Sequence, residues 1–411
     1  MSASEPHSAA TLRAVGRIQS IRIGRHELPW WAVILGVFVV SRLVTTAFMV
    51  MLFLVFTSEH WAFAGTHAAA QNFFTFSGSW DASFYRRIAT DGYPSTLPVD
   101  DSGNVLPNSW AFLPVFPAVT RAVMFLGLDF NAAGVVVATV CGAAAALVLY
   151  RLVAEKLGVS GGLWSVLLFV FGPLSFVLQV AYAESLFCLL IFAALWAMQS
   201  RRYWLVIPLG VLAAFTRPGA LALSLALAIV WVLRMRAKRH RAEPFPLAEQ
   251  CALLAAAAII ALAGLAWPLI ADGVTGHPGA YLATELSWWT GYVGRVSFVP
   301  LTPWFIFATR YLGILGIVVV LAVGVGFVWM LRRPSIRALG QVTLAFSVSY
   351  SLYLFAVFLP QQSLFRLLMP LAPLGGAVGA SEHRRLRVPL LVAAIALQPV
   401  ALLLLWTIGY P

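Results

Sequence analysis

The chain reads as an all-α polytopic membrane protein, on three observations. Of its 411 residues 61% are hydrophobic and only 10% charged, against roughly a quarter charged in soluble domains; the mean hydropathy is +0.89. Apolar runs of spanning length recur along the whole chain. The basic residues sit in short clusters between those runs, as the positive-inside rule places them. The net charge of +12 therefore describes topology, and nucleic acid is not an expected partner. Cys141, Cys188 and Cys251 lie in or beside apolar segments without CxxC spacing, so they read as small buried residues. Lysine occurs only at Lys156 and Lys238, a bias towards arginine that fits a GC-rich bacterial source.

Residues 1–29 form a cytoplasmic tail carrying Arg13, Arg17, Arg22 and Arg25, and one membrane domain follows over 30–411. The run from Trp30 to Phe56 is too long for a signal-peptide core and crosses outward as an anchor. A first external loop spans 57–130; its part 57–110 holds Glu59, Asp81, Asp91, Asp100 and Asp101 against Arg86 and Arg87, and 111–127 is short and proline-bearing, hence an interfacial or dipping element. Segment 131–150 crosses inward to Arg151 and Lys156, 160–178 goes out, Ala181 to Glu184 is a tight turn, and 185–199 returns to Arg201 and Arg202. A pair of short segments, 203–216 and 219–233, turns at Thr216, Arg217 and Pro218 and ends in the cluster Arg234 to Arg241. Segment 247–270 leads to a second external loop, 271–303, containing Asp272, His277, Glu285, Trp288, Trp289, Tyr292 and Arg295. Spans 304–330, 338–358, 364–380 and 388–408 complete about eleven crossings with the N-terminus inside. In this arrangement nineteen of the 27 Lys and Arg lie on the cytoplasmic side; the other eight are Arg42, Arg86, Arg87, Arg121, Arg217, Arg295, Arg310 and Arg366. Arginines within or at the rim of a membrane are costly and usually functional.

Chemistry concentrates between Ser79 and Pro117, where SWDASFYRRIATDGYP and NSWAFLPVFP bring acids, aromatics and arginines into an otherwise apolar chain. Read as a surface helix from Ser79, one face carries Asp81, Phe84, Tyr85, Ile88 and Gly92, with Ser83, Arg86 and Thr90 opposite. Arginine forks suit phosphate and tryptophan faces suit sugars, so an acidic loop, rim arginines and two aromatic loops point to a lipid phosphate bearing a sugar-like group. Blander readings stand beside this one. Trp288 and Trp289 fit an interfacial aromatic belt, Asp81 fits a helix-start acid favouring the dipole, and Arg217 and Arg366 fit snorkelling residues. GxGxxG, Walker, HExxH and GxSxG motifs are absent, which removes support for soluble nucleotide-binding and hydrolase classes. The acids lack the spacing of an obvious metal cage, so no cofactor is expected, and a divalent metal is left open without support from the sequence.

The run WDASFYRRIATDGYP followed by SWAFLPVFP resembles the first luminal loop of the PIG-V family of mannosyltransferases, members of the GT-C polytopic glycosyltransferases. AYAESLF at 181–187, AFTRPGALAL at 214–223 and SLFRLLMPLAP at 363–373 match further marks of that family. The resemblance implies a GT-C-like bundle and transfer of mannose from a polyprenyl-phosphate carrier at the outer face, with Asp81 as base. The glycosylphosphatidylinositol acceptor of the eukaryotic members does not carry over to a bacterial chain; an outer-face glycolipid or cell-envelope glycan takes its place. An acceptor hydroxyl then displaces the lipid phosphate with inversion, Asp81 taking the proton and Arg217, Arg295 and Arg366 facing the phosphate. Trp80, Tyr85, Glu184, Trp288 and Trp289 orient sugar or acceptor. A lipid-linked sugar flippase is the rival, using the same side chains without chemistry. Transporters concentrate charge near the midplane and are often built from repeats, whereas the charges here sit at the rim and no repeat is visible.

Overall fold

The computed structural model describes residues 20–63, 72–240, 243–381 and 384–409; Arg13, Arg17 and Arg241 lie outside them. It is 75% helical with 18 helices, five of them long and apolar enough to cross a membrane by length and composition. Among the described residues the all-α class holds apart from a short hairpin at the end of the tail, where Ser20–Ile23 (β1) and His26–Pro29 (β2) pair antiparallel around Gly24 and Arg25, and an isolated bridge between Val99 and Val105.

Helix α1, Trp30–Ser58, is the first long span. Its buried Arg42 has no acidic partner among the described residues; it donates to the carbonyls of Ser175 (2.6 Å) and Val170 (2.8 Å) and to Gln179 Oε1 (3.1 Å). Those acceptors lie at the C-terminal end of α5, Phe130–Phe171, and in the 3₁₀ turn Ser175–Gln179. An arginine that looked costly in the sequence thus satisfies orphan helix-end carbonyls and fixes the segment leading to Glu184.

The expected span 131–150 and the expected span 160–178 as far as Phe171 share one helical run, α5, which breaks at Gly158 with φ +69°; the rest of the second span is the Gly172 cap and the 3₁₀ turn. A Cβ built on Gly162 would lie 2.8 Å from both Ala154 Cβ and Tyr150 Cδ2, contacts that a straight helix, rising about 1.5 Å per residue, cannot make. The halves therefore fold back on each other, and glycine supplies the positive φ that the reversal requires.

Between α1 and α5 lie α2 (Phe73–Ser77), α3 (Ala82–Asp91), a 3₁₀ turn (Ser109–Ala111) and α4 (Val115–Met124). Helix α3 keeps its expected face in part: Tyr85 and Ile88 are buried and Asp81, Phe84 and Gly92 half-buried, but the buried side also takes in Ala82 and Ala89, and opposite it Ser83 and Thr90 are exposed while Arg86 is half-buried, donating to Asn131 Oδ1 at 2.7 Å. After α5 come α6 (Glu184–Gln199), the short pair α7 (Tyr203–Ala214) and α8 (Leu221–Arg239), and the long α9 (Leu247–Thr275). The second loop folds into α10 (Ala280–Ser287) and α11 (Thr290–Val293).

The expected single span 304–330 is divided into α12 (Pro303–Leu312) and α13 (Ile314–Leu331) at Gly313, φ +56°. A Cβ on Gly316 would lie 2.3 Å from the Ala308 carbonyl oxygen, so the chain doubles back there and α13 alone has spanning length. After α14 (Pro334–Arg337) and α15 (Gln341–Val357), the expected span 364–380 is also broken, into α16 (Leu364–Leu367), a 3₁₀ stretch (Met369–Gly375) and α17 (Gly376–Ala380). Pro370 and Pro373 lack the N–H groups a continuous α-helix needs. Helix α18, Arg387–Leu402, continues as a π-helical turn to Ile408.

Candidate active site

The two loops meet through aromatic packing. Trp110, Leu113, Trp267, Ala271 and Ala280 form a small buried cluster with Tyr93, Leu97, Phe215 and Tyr281 against it. Trp267 Nε1 donates to the Trp110 carbonyl (3.0 Å), Trp110 Nε1 to the Pro94 carbonyl (3.0 Å), and Asn108 Nδ2 to Thr284 Oγ1 (3.0 Å). Buried indole N–H groups that all find carbonyls leave this junction rigid.

Beneath it lies a cavity of about 490 Å³ lined by Asp81, Tyr85, Phe112, Arg217, Gly219, Trp267, Asp272, Tyr281, Glu285, Trp288, Trp289, Tyr353, Gln361, Ser363 and Arg366, among others. Its walls come from the start of α3, the α7–α8 turn, the end of α9, α10 and the segment joining α15 to α16. That combination of apolar wall and a few converging polar groups is the usual make-up of a small-molecule site.

One wall is a charge cluster drawn from distant parts of the chain. Arg366 Nη2 donates to Asp81 Oδ2 at 2.5 Å, and Arg366 Nη1 to Glu184 Oε1 at 3.0 Å. Arg217 Nη1 donates to the same Glu184 oxygen. Glu184 and Arg366 are buried, and the Arg366 guanidinium sits over the Tyr182 ring, 5.1 Å from its centroid. The Tyr182 hydroxyl accepts the backbone N–H of Asp81 at 3.1 Å. Two acids and two arginines balance in charge, the condition under which buried ions are tolerated. Not every donor is used. Arg217 Nε, Arg366 Nε and Trp288 Nε1 are buried without a protein partner among the described residues, donors that water or a ligand in the cavity can satisfy.

Asp81 occupies the N-cap position of α3, yet its side chain makes no capping hydrogen bond. It faces Arg366 instead, so the helix-start reading does not describe it. The turn is set by Trp80, whose φ of +57° is rare for a bulky residue and whose Nε1 donates to the Trp406 carbonyl at 2.8 Å. Trp80 thereby steers the backbone from behind and does not line the cavity.

The expected site residues therefore divide. Asp81, Tyr85, Arg217, Arg366, Trp288 and Trp289 all line the cavity, and Glu184 lies directly behind the two arginines. Trp288 packs edge-on to Phe84 (5.4 Å between centroids) and Phe112 (6.1 Å), and Trp289 is buried against Phe298; neither is a loose belt residue. Arg295 is the exception. It is half exposed, pairs with Asp100 at 2.6 Å, and does not line the cavity. Asp100 is held below its ordinary value chiefly by the Asn104 backbone N–H, with Arg295 and the Ser102 N–H adding to it. The pair ties the two loops together outside the site.

The sequence reading passed over Tyr182, Tyr281 and Tyr353, and it left Glu285 as one member of a loop. Tyr281 and Glu285 line the same wall of the cavity, Tyr281 four residues earlier on α10. Burial raises Glu285 to about 7 although Tyr281 and Arg217 favour its charged form. Tyr182 lies inside AYAESLF, the only sequence signal that pointed near it. Among the described residues no three His, Cys, Asp or Glu side chains converge as metal ligands. No protein-family model matches this chain, and no curated protein matches it.

Proposed function

We propose that this protein is a membrane glycosyltransferase of the PIG-V-like, GT-C type, moving a mannosyl or related hexosyl group from a polyprenyl-phosphate carrier to an outer-face glycolipid or cell-envelope glycan. The observation that carries the reading is the Asp81–Arg366–Glu184–Arg217 cluster, with unpartnered guanidinium N–H groups, on the wall of an aromatic cavity. Guanidinium groups favour phosphate by charge and by planar geometry. The faces of Trp288 and Trp289 and the ring of Tyr85 favour the apolar face of a sugar. About eleven crossings, a cytoplasmic N-terminus, external loops 57–130 and 271–303, and a bacterial source belong to the same proposal.

In this mechanism Glu184 fixes both arginines by accepting from each through one oxygen. Their remaining donors face the leaving phosphate and stabilise the charge that grows on it. Tyr182 and Trp80 hold the backbone at Asp81, so that its carboxylate keeps Arg366 in place. No cofactor enters the scheme.

The test is incubation of the purified chain in nanodiscs with radiolabelled polyprenyl-phosphate-mannose and extracted membrane lipids. Label appearing in a new glycolipid is the expected result. Movement of intact donor across a liposome bilayer, with no new product, would replace the transferase by the flippase.

A further inference from the structure

The last helical turn of the chain reaches back to the first loop. Trp406 lies in the π-helical turn Leu403–Ile408 that ends α18, and it is fully buried. Its carbonyl accepts Trp80 Nε1 at 2.8 Å, and its own Nε1 donates to the Phe76 carbonyl at 3.1 Å. Both acceptors belong to the final turn of a helical run, Phe76 at the end of α2 and Trp406 at the end of the π turn, and carbonyls there have no partner within the helix. The two indoles therefore cap the two helix ends reciprocally. The Phe76 carbonyl also accepts the Ser79 hydroxyl at 2.9 Å, and the Ser77 carbonyl accepts the Ala181 N–H at 3.0 Å, so the segment entering Asp81 is tied down from several sides.

The Trp406 ring packs edge-on to Phe176 (5.7 Å between centroids) and to Tyr182 (5.2 Å). Tyr182 in turn accepts the Asp81 N–H with its hydroxyl and carries the Arg366 guanidinium over its ring. Trp406 thus stands one side chain behind each member of the Asp81–Arg366 pair. Helix α18 is itself fixed two turns earlier. Gln398, fully buried, accepts from Thr45 Oγ1 of α1 at 2.9 Å and donates to the Phe171 carbonyl of α5 at 2.8 Å. Eight residues at the α-helical pitch would turn Trp406 about 80° away from Gln398; the wider π turn that begins between them takes back part of that rotation, and both side chains stay buried. Turns of this kind are rare and recur at functional sites.

We propose that Trp406 is a positioning residue for the transfer: from the C-terminal turn it fixes, through Trp80 and Tyr182, the geometry of the Asp81–Arg366 pair. The proposal rests on the glycosyltransferase reading above. Trp80 adopts φ +57°, a conformation that costs a bulky residue free energy and persists only where the surroundings over-determine it. The bond from its indole to the Trp406 carbonyl is one such constraint. The bond from Trp406 to Phe76 holds the other end of the same turn. When these slacken, Asp81 moves relative to Arg366, and a misplacement of about 1 Å can cost about a hundredfold in rate. Trp406 does not line the cavity, so it acts only through these neighbours.

The deciding measurement is a double-mutant cycle on kcat/KM for mannosyl transfer by the full chain in nanodiscs. Trp406→Phe keeps a ring against Tyr182 and Phe176 but removes the donor to Phe76, and it should lower kcat/KM by about tenfold or more. In the Asp81→Asn background, where the pair is already broken, the same change should cost less than about threefold. A merely structural role loses folded protein, which multiplies through and gives the same factor in both backgrounds. Where the unmodified protein transfers mannose, equal factors in the two backgrounds, or a Trp406→Phe loss within about twofold, overturn the positioning role and leave the transferase reading standing. If Trp406→Phe does not elute as a monodisperse peak, Trp80→Phe decides through the same cycle, since it breaks the link from the other end and leaves Trp406 in place; a smaller factor in Asp81→Asn upholds the role, and equal factors overturn it. An unmodified protein that transfers no mannose overturns the transferase reading and the positioning role with it.

Discussion

Arg366→Lys keeps the charge at the centre of the cluster and removes its fork. In the native arrangement Arg366 uses different terminal nitrogens for Asp81 (2.5 Å) and Glu184 (3.0 Å), and these carboxylates come from separate elements. A lysine has one nitrogen on a flexible stem, so it can satisfy one carboxylate and leaves the other without its partner. A hydrogen bond to a charged group contributes about 1.5–3 kcal/mol. If that interaction is made in the transition state, its loss lowers kcat/KM by roughly ten- to a hundred-and-fifty-fold. Initial mannosyl-transfer rates over a range of donor concentrations measure this directly, with the thermal midpoint of each preparation checking the fold. The double variant with Asp81→Asn should lose less than the product of the two single losses, because both single changes break the same contact. A kcat/KM within about twofold of the unmodified value, at a normal thermal midpoint, refutes a role for this fork on the donor side; strictly multiplicative losses refute the coupling to Asp81.

Other expectations follow from neighbouring contacts. Asp81→Asn weakens the same ion pair and should cost about ten- to a hundredfold in turnover, whereas Asp91→Asn, at the exposed C-terminal end of α3, should stay within about twofold. Arg295→Ala should leave transfer within about twofold, since Arg295 pairs with Asp100 outside the cavity; a loss comparable to that of Arg366→Lys would return it to the phosphate. Because Asp100 is held low when folded, its contribution is present above the ordinary Asp range and is lost as pH falls through the lowered value, so proteolysis of the 95–105 loop should accelerate only in acid. Arg42→Met strips the carbonyls of Val170 and Ser175 of their donor and should destabilise by about 3 kcal/mol, read as a lower thermal midpoint; an unchanged midpoint would mean those carbonyls find other donors. Single cysteines at Ser102 and His277, both exposed, should label in intact cells with an impermeant maleimide while those at Arg239 and Arg385 should not, in a background lacking Cys141, Cys188 and Cys251. Equal labelling at 239 and 102 overturns the sidedness. Thr284, the obvious reporter in the second loop, is buried against Asn108 and would not report topology.

What the sequence determined by itself is the class of solvent, the outline of the helices and the place where polar chemistry gathers. Hydropathy and charge patterning are local properties, so they identified apolar segments, the short pair 203–216 and 219–233, and the crowded stretch from Ser79 to Pro117. Periodicity located the centre of the buried face of α3 at Tyr85 and Ile88 but not its flank at Ala82 and Ala89. Where two spans share one helical run, or one expected span breaks, a single backbone angle decides. Gly158 and Gly313 turn the chain by adopting positive φ, which hydropathy does not register. Only the tertiary structure decided which acid faces which arginine. Asp81, Glu184, Arg217 and Arg366 lie far apart in the chain, and their pairing depends on packing among α3, α6, the α7–α8 turn and α16. The same packing removed Arg295 from the site by giving it Asp100. It also separated three cavity carboxylates that look alike in sequence: Asp81 is tied to a guanidinium, Asp272 accepts the backbone N–H groups of Gly279 and Ala280, and Glu285 pairs with no cation among the described residues. A carboxylate's proton affinity is set by burial and partners, and both are properties of the assembled cavity rather than of any stretch of chain.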